Sequence, residues 1–266
     1  MALTRTRSPR SFRPQILGLT GILLFLVVWQ MLPALGVVDA RYFPSATETL
    51  AQLWSDLASS DLWADIGLTM RAWGIGLAIA TVLGVIVGTV IGLVPFLRRA
   101  THTTIEFLRP IPSVALIPLA ILLYGFQLRA ALIIIVYASF WQVLVQVLYG
   151  VADVDAVARD TARSFRLSRL ERFRSLVFPT ALPYLMTGIR LAATVALILA
   201  ITAEMFIGNP GLGRSIVFAQ SGANYVEVFA LIIVTGLLGL LVNIIFRAVE
   251  RRALRWHESV RNEVAL

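Results

Sequence analysis

The chain has 266 residues, of which 58% are hydrophobic and only 14% are charged. Soluble domains are about half apolar and about a quarter charged, so this composition excludes an ordinary water-soluble domain and indicates a membrane protein. The net charge of +8 rests on 23 basic residues that are all arginine, and without lysine the chain has neither a P-loop nor a lysine Schiff base.

Cysteine is absent, and histidine occurs only at His102 and His257. Disulfides, thiolate metal sites and cysteine nucleophiles are therefore excluded. Neither histidine belongs to a metal-ligand or catalytic-triad pattern. We expect no catalytic residue, no metal site and no cofactor bound by this chain, which is not expected to be an enzyme.

Six apolar stretches approach or exceed 20 residues, the length at which a helix crosses roughly 30 Å of hydrocarbon. In chain order they cover residues 16–35, 73–96, 107–124, 130–149, 184–207 and 226–246. They predict an all-α, polytopic membrane protein with six transmembrane helices. A transmembrane domain at 16–246 would then lie between an N-terminal segment at 1–15 and a tail at 247–266.

The first stretch follows four arginines and could instead belong to a signal peptide. Its apolar core is longer than the 7 to 15 residues typical of signal peptides. We therefore expect it to be retained as a spanning anchor.

Arginines are distributed unevenly between the loops that join these stretches. Only Arg41, Arg71, Arg129 and Arg214 fall on one side of the predicted membrane, and the remaining arginines fall on the other. Basic residues near span ends mark the cytoplasmic side, so both termini are predicted to be cytoplasmic. The positive charge is then explained by topology, with membrane lipid as a partner and no expectation of nucleic-acid binding.

The second apolar stretch carries a small residue at every fourth position. On a helix these residues form one flat stripe against which another backbone can pack closely. We favour helix packing over lining of a transport pathway. The stripe consists of Gly76, Ala80, Gly84, Gly88 and Gly92.

The third stretch is interrupted by Pro110, Pro112 and Pro118. Prolines leave backbone carbonyls without helical partners, and in a membrane these must be buried in protein or face a wet cavity. The segment is thus either a kinked packing helix or a lining of the pathway, with Pro110 and Pro112 as the candidate residues.

The predicted inner loop at 150–183 contains signals for two short helices. Asp155 can cap a first helix that runs to Phe165, and Ser168 with Glu171 forms a capping box for a second. We expect Pro179 and Pro183 to end the second helix. Such helices could form a docking platform for a partner, or they could lie among lipid headgroups.

Glu204 lies late in the otherwise apolar fifth stretch and is followed by Gly208, Gly211 and Gly213. A carboxylate in a membrane span is a candidate functional residue because burying its charge is costly. The glycines would form a turn at an outer gate of the pathway. Alternatively, Glu204 is an interfacial acid at the helix end or is paired with Arg214.

Several segments resemble the signatures of a known family. The run DTARSFR at 160–166, with LVFPTALP at 176–183 and GIR at 188–190, resembles the EAA motif of bacterial ABC importer permeases. FPS at 43–45, LRPIP at 108–112, ALIPL at 115–119, AE at 203–204, GLG at 211–213 and RW at 255–256 are similar to the nitrate, sulfonate and taurine branch of that family.

This resemblance implies the type I ABC importer permease fold in a bacterial inner membrane. It also implies a homodimer, two cytoplasmic ATP-binding subunits that use ATP and Mg²⁺, and an external solute-binding protein. The loop would dock on the ATP-binding subunits through residues that include Asp160 in place of the motif's Glu and Arg166 in place of its Gly. The implied coupling residues are Asp160, Thr161, Ala162, Arg163, Ser164, Arg166, Leu167, Ser168 and Arg169.

A glycine at the motif position readily takes a left-handed backbone, whereas Arg166 does so at a cost. By the same resemblance, the solute is a small anion such as an aliphatic sulfonate, taurine or nitrate. Bicarbonate, an aromatic acid or a thiamine precursor are alternatives. An ATPase-independent secondary transporter or channel is disfavoured, because such proteins usually carry several charges within their spans and here Glu204 stands alone.

Overall fold

The computed structural model describes residues 13–255, so segments 1–12 and 256–266, with Trp256 and His257, lie outside the described residues. The described chain is helical and contains no strand. A 3₁₀ turn covers Ser113–Leu116, and a π-helical segment covers Phe173–Val177. The helices are α1 (Arg13–Ala34), α2 (Ala46–Leu57), α3 (Ser60–Leu93), α4 (Pro95–Leu108), α5 (Ile117–Tyr124), α6 (Leu128–Ala152), α7 (Ala156–Ser164), α8 (Arg169–Arg172), α9 (Phe178–Ile207), α10 (Leu212–Ser221) and α11 (Tyr225–Ala253).

Five stretches of helix are long and apolar enough to cross a membrane, namely Ile16–Ala34, Ser60–Leu93, Leu128–Ala152, Arg169–Ile207 and Tyr225–Ala253. Helix α4 and the segment Ser113–Tyr124 pass the same test only together, and they are bent by 83° at the break between them. Residues 13–255 therefore contain five spans, or six if the bent pair counts as one. The predicted all-α membrane fold is confirmed, whereas the count of six and the orientation stay predictions.

The stripe of small residues on α3 lies directly against α6. A Cβ atom added at Gly84 would stand only 2.7 Å from Val143 Cβ, so the glycine is what lets the two backbones approach. Ala80, in the same stripe, is fully buried. Residue numbers rise together along the contact, so α3 and α6 run in the same direction. The facing pairs are Gly76 and Ile135, Gly84 and Val143, Gly88 and Val147, and Gly92 and Val151.

Because α3 and α6 run in the same direction, the chain must return along α6 between them. Helix α4 begins at Pro95, separated from the end of α3 only by Val94, and starts this return. The bend that follows is held against α6, where Tyr137 Oη donates a hydrogen bond of 2.6 Å to the Leu108 carbonyl oxygen. Pro110 and Pro112 lie in this bend, where they contribute no backbone N–H.

Helix α9 packs along α6 in the opposite direction and completes the core. Gly150 near the end of α6 lies against Ala181, whereas Gly188 further along α9 lies against Gln146. The contacting face of α9 is built from small side chains, so the helices approach closely. The buried alanines of α9 are Ala192, Ala193, Ala196, Ala200 and Ala203.

Helix α11 packs against this core through Val242, and α1 lies at the periphery. Trp29 of α1 donates its Nε1–H to the Pro44 carbonyl oxygen at 3.0 Å, and its ring lies 6.1 Å from that of Phe229 on α11. Helix α11 is joined to α9 by an ion pair of 3.0 Å between Arg190 and Glu250. We call the end of the bundle that carries α7 and α8 the α7 end, and the opposite end the α10 end.

The prediction that Pro179 and Pro183 end a short loop helix is wrong. Helical backbone continues from Arg169 to Ile207. The Phe178 N–H bonds to the Phe173 carbonyl oxygen, five residues earlier. This wider turn accommodates Pro179, which has no N–H and stands in the first turn of α9.

The predicted start of the second span near residue 73 is also too late. Helix α3 begins at Ser60, after Ser59 accepts the Asp61 N–H as an N-cap. The acids in its first turns lower the hydropathy there, so an apolar stretch marks only the later part of the helix. Several of its turns thus precede the apolar region.

We predict that Gly84→Leu destabilises the protein, whereas Gly74→Leu on the same helix is tolerated. A Cβ at Gly84 would meet Val143 and the Leu144 backbone nitrogen, while one at Gly74 would meet no atom within 4 Å. Overpacking of this kind costs about 2 kcal/mol, so the melting temperature of detergent-solubilised G84L should fall by several degrees. Both substitutions carry the same gain in helix propensity, and equal melting temperatures would contradict the close α3–α6 contact.

Candidate functional site

Glu204 stands one turn before the end of α9 and is only 2% exposed. A buried carboxylate is costly unless polar groups satisfy it. The position within a membrane-spanning helix makes this requirement stricter, since lipid offers no hydrogen bonds. The partners of Glu204 come from two other helices at the α10 end.

One oxygen of the Glu204 carboxylate, Oε2, accepts two hydrogen bonds. Thr69 Oγ1 on α3 donates one at 2.9 Å, and the N–H of Gly213 in the first turn of α10 donates the other at 2.9 Å. Thr69 Oγ1 also accepts the Leu212 N–H at 3.0 Å. These four residues, which we call the Glu204 cluster, join α3, α9 and α10 at one point.

The Glu204 cluster caps α10. The first N–H groups of a helix have no partners within it, and a negative charge is favoured there by the helix dipole. Gly211, the residue before α10, has no side chain that could act as a cap. Glu204 and Thr69 therefore supply from neighbouring helices the acceptors that α10 lacks.

The glycines that follow Glu204 fit closely around it. Gly211 has a φ of 148°, and a Cβ there would clash with the Glu204 carboxylate. A Cβ at Gly213 would stand 2.8 Å from Glu204 Cβ and would clash with the Ile201 carbonyl oxygen. Gly208 ends α9 in a left-handed conformation with a φ of 81°. The turn can therefore fold back over Glu204, whose Oε1 has no hydrogen-bond partner among the described residues.

A second polar contact holds α10 to α3. Ser215 Oγ donates a short hydrogen bond to Asp65 Oδ2, one turn before Thr69. Sequence reasoning missed both Asp65 and Thr69, because it placed them in a loop ahead of the second apolar stretch. Their spacing of four residues, which puts them on one helix face, was the available signal.

The alternative pairing of Glu204 with Arg214 does not occur. The Arg214 guanidinium lies 4.8 Å from the ring centre of Phe218, one turn along α10. Pro110 and Pro112 lie in the bend between α4 and α5, not in the Glu204 cluster. Within residues 13–255, no group of three or more His, Asp or Glu is placed to hold a metal ion.

Helix α7 carries most of the residues implied for coupling. The predicted cap is confirmed, since Asp155 Oδ1 accepts the Ala158 N–H at 2.8 Å. Asp160 and Arg163 form an exposed ion pair of 3.1 Å, and Ala162 is buried. Leu167 is half-buried, and the other implied coupling residues are exposed, namely Thr161, Ser164, Arg166, Ser168 and Arg169.

Arg166 takes the left-handed conformation that the motif glycine would take, with a φ of 53°. Its N–H bonds to the Arg163 carbonyl oxygen at 2.9 Å, and the Leu167 N–H bonds to the Ala162 carbonyl oxygen at 3.0 Å. This pair of bonds is the Schellman ending of a helix. The turn after α7 therefore keeps the glycine-type geometry despite the arginine.

The predicted capping box after this turn is confirmed. The Glu171 N–H bonds to Ser168 Oγ at 3.2 Å, and the Ser168 N–H bonds to Glu171 Oε2 at 2.7 Å. The helix that starts here runs on to Ile207. Beside the turn, Val157 and Phe165 are 73% and 77% exposed.

We predict that Thr69→Val destabilises the α10 end, whereas Thr69→Ser is tolerated. Valine leaves the buried Leu212 N–H without an acceptor and takes one donor from Glu204, at a cost of about 2 kcal/mol. Limited proteolysis and hydrogen exchange of residues 208–224 should report faster opening in T69V. If T69V and T69S open at the same rate, the hydroxyl does not hold α10.

A family match covers well over half of the chain. Residues 80–255 match the family described as "binding-protein-dependent transport system inner membrane component". The range contains α4 to α11, and with them the turn at residues 165–167 after α7, which we call the α7 turn, and three of the four residues of the Glu204 cluster.

Similar proteins match along most of their length. The SsuC permease protein of Escherichia coli K12, whose name refers to aliphatic sulfonates transport, is 31% identical over 88% of this chain and 89% of its own. The taurine transport system permease protein TauC of the same strain is 27% identical over 93% of this chain and 92% of its own. The nitrate import permease protein NrtB of Synechocystis sp. PCC 6803 is 28% identical over 89% of this chain and 86% of its own.

Solved structures share the architecture at lower identity. A chain of the MetNI methionine ABC transporter, in an inward-facing conformation, matches 73% of this chain and 96% of its own with a TM-score of 0.63 at 17% identity. A chain of an amino acid ABC transporter matches 77% of this chain with a TM-score of 0.63 at 16% identity. These likenesses establish the fold. Together with the family match and the relatives, they show that the chain belongs to the binding-protein-dependent transport system inner membrane components, as an ABC importer permease of the nitrate, sulfonate and taurine branch in the bacterial inner membrane.

Proposed function

We propose that the chain forms the translocation pathway for a small anion, such as an aliphatic sulfonate, taurine or nitrate. It would work as a homodimer with two ATP-binding subunits on the cytoplasmic side and a solute-binding protein outside. ATP and Mg²⁺ would be used by those partner subunits. The names of the relatives support this substrate class, and the lack of lysine supports a separate ATPase.

The α7 end is proposed to face the cytoplasm, with the bent pair as the sixth span. Helices α3 and α6 run in the same direction, so the segment between them crosses back. Arginines cluster at the α7 end, in α7 and α8 and near the end of α11, which is the distribution expected of a cytoplasmic face.

We predict that a reporter protein that is active only in the cytoplasm will be active when it is fused after Leu266. An inactive reporter would contradict this orientation.

The observation that carries the proposal is the exposed α7 turn. Val157 and Phe165 leave large apolar surfaces uncovered beside the exposed Asp160–Arg163 pair. Apolar side chains ringed by charge are typical of surfaces that bind another protein. We assign this surface to the ATP-binding subunit.

One helix connects this surface to the Glu204 cluster. It runs from Arg169 to Ile207 without a break, over about 57 Å at 1.5 Å per residue. Movement of the docked loop would therefore be passed to the end that bears Glu204. Thr69 and Asp65 hold α10 at that end, and we propose that α10 closes the outer side of the pathway.

Phe165→Ser is predicted to weaken binding of the cognate ATP-binding subunit several-fold, while Phe126→Ser has no effect. Both phenylalanines are exposed, at 77% and 72%, but Phe126 lies before α6 at the α10 end. The measurement is the amount of ATP-binding subunit that co-purifies with the solubilised permease. Equal losses in both variants, or solute flux through liposomes that hold the permease alone, would contradict the proposal.

The Arg166→Gly variant should be more stable than Arg166→Ala and should still bind the ATP-binding subunit. Glycine removes the cost of the left-handed backbone, about 1 kcal/mol, whereas alanine removes the guanidinium but keeps that cost. Hydrogen exchange of residues 160–172 should be slower in R166G than in R166A. Loss of binding in R166G with retained stability would instead assign a direct contact to the arginine.

A further inference from the structure

We propose that Arg109 contacts the transported anion inside the pathway. The proposal rests on the proposed function in taking the solute to be a small anion. It goes beyond that function by assigning a specific cationic side chain to the solute. The arguments concern the depth of Arg109, its lack of a partner and the chemistry of its side chain.

The depth of Arg109 follows from its neighbour Leu108, whose carbonyl oxygen accepts the Tyr137 hydroxyl at 2.6 Å. Tyr137 is the tenth residue of α6, which runs from Leu128 to Ala152. At 1.5 Å per residue it lies about 14 Å from one end of that helix and about 22 Å from the other. Because α6 is a membrane-spanning helix, the α4–α5 bend and Arg109 lie within the depth of the membrane. This differs from the expectation drawn from the sequence, which counted Arg109 among the cytoplasmic arginines and Glu204 as the only charge within a span.

Arg109 has no acidic partner. Its side chain is exposed, and among residues 13–255 it makes no ion pair or side-chain hydrogen bond. The nearest acid along the chain, Glu106, is engaged by His102 at 3.4 Å on the same helix. Arg190, by contrast, is neutralised by Glu250 at 3.0 Å.

An unpaired guanidinium cannot face hydrocarbon without a large cost, so it marks a wet, protein-lined space. Its planar set of donors matches the oxygens of a sulfonate or a nitrate, which can accept two parallel hydrogen bonds. Pro110 follows directly and fixes the backbone at the bend. Tyr137, which holds Leu108, is therefore a positioning residue for Arg109.

The first test uses the absence of native cysteine. Arg109→Cys, in lipid nanodiscs with the ATP-binding subunits, should react with the anionic, membrane-impermeant thiol reagent MTSES. Leu24→Cys, an exposed position within the α1 span, provides the dry control, and Arg129→Cys at the start of α6 provides the wet one. If the cysteine at 109 is as unreactive as that at 24, Arg109 does not line a wet path and the proposal is overturned.

The second test measures ATP-driven uptake of taurine, nitrate and an aliphatic sulfonate into proteoliposomes that contain the complete complex. Arg109→Gln should lower uptake about tenfold or more, because a charge-assisted contact is lost. Arg109→Lys should lose less uptake than Arg109→Gln, because lysine keeps the positive charge but not the paired donors, and Arg129→Gln should match the wild type. Complex assembly should be unchanged in all three variants, and Arg129→Gln should also leave basal ATP hydrolysis unchanged.

Wild-type uptake by R109Q would overturn the proposal, and so would equal defects in R109Q and R109K, which would indicate a structural role. A wild-type complex that imports none of the three anions would overturn the proposed substrate class instead. The cysteine reactivity at 109 would then still report whether this position is wet. The two failures are thereby distinguishable.

Discussion

The close contact between α3 and α6 determines the path of the chain segment that joins them. The two helices lie side by side in the same direction, so they can be joined only by a segment that returns along their length. That segment starts at Pro95 and consists of two helical arms, which are bent by 83° relative to each other. Tyr137 fixes the end of the first arm to the middle of α6. The prolines at the bend fit this role, because they remove N–H groups where no regular helix can continue.

A second constraint connects the two ends of the molecule. The helix from Arg169 to Ile207 begins with the capping box of Ser168 and Glu171 and reaches the Glu204 cluster in its last turns. The helix continues through Pro179 and Pro183, and the π-helical turn directly before Pro179 accommodates the first of them. The buried carboxylate at the far end satisfies α10 from outside that helix, so α10 is positioned by α3 and α9 and not by a cap of its own.

Much of this was predictable from local patterns, and the rest depended on contacts between distant residues. Span positions follow from hydropathy, and the caps at Asp155 and Ser168 follow from residue type and spacing, because each involves only neighbours in the chain. The start of α3 and the continuation through Pro179 were missed, since acids and prolines weaken the local signal while packing overrides it. The four-residue spacing of Asp65 and Thr69 shows only that they share a helix face. The role of Thr69 depends on its contacts with Glu204 and Leu212, which lie 135 and 143 residues later in the chain.

Arg190 and Arg109 show the difference between an arginine that stabilises the fold and one that is available to a solute. Arg190 and Glu250 neutralise each other, and Thr187 Oγ1 adds a hydrogen bond of 3.4 Å to the same carboxylate, so the group needs no external partner to be stable in a membrane. Arg109 has no such arrangement among the described residues, although the α4–α5 bend that carries it lies against the middle of α6. Because the chain has no lysine, its permanently charged side-chain cations are all guanidinium groups, which remain charged at any depth and offer paired donors to oxyanions. An unpaired guanidinium at a bend that α6 holds in place is therefore best satisfied by a passing anion and the water that accompanies it.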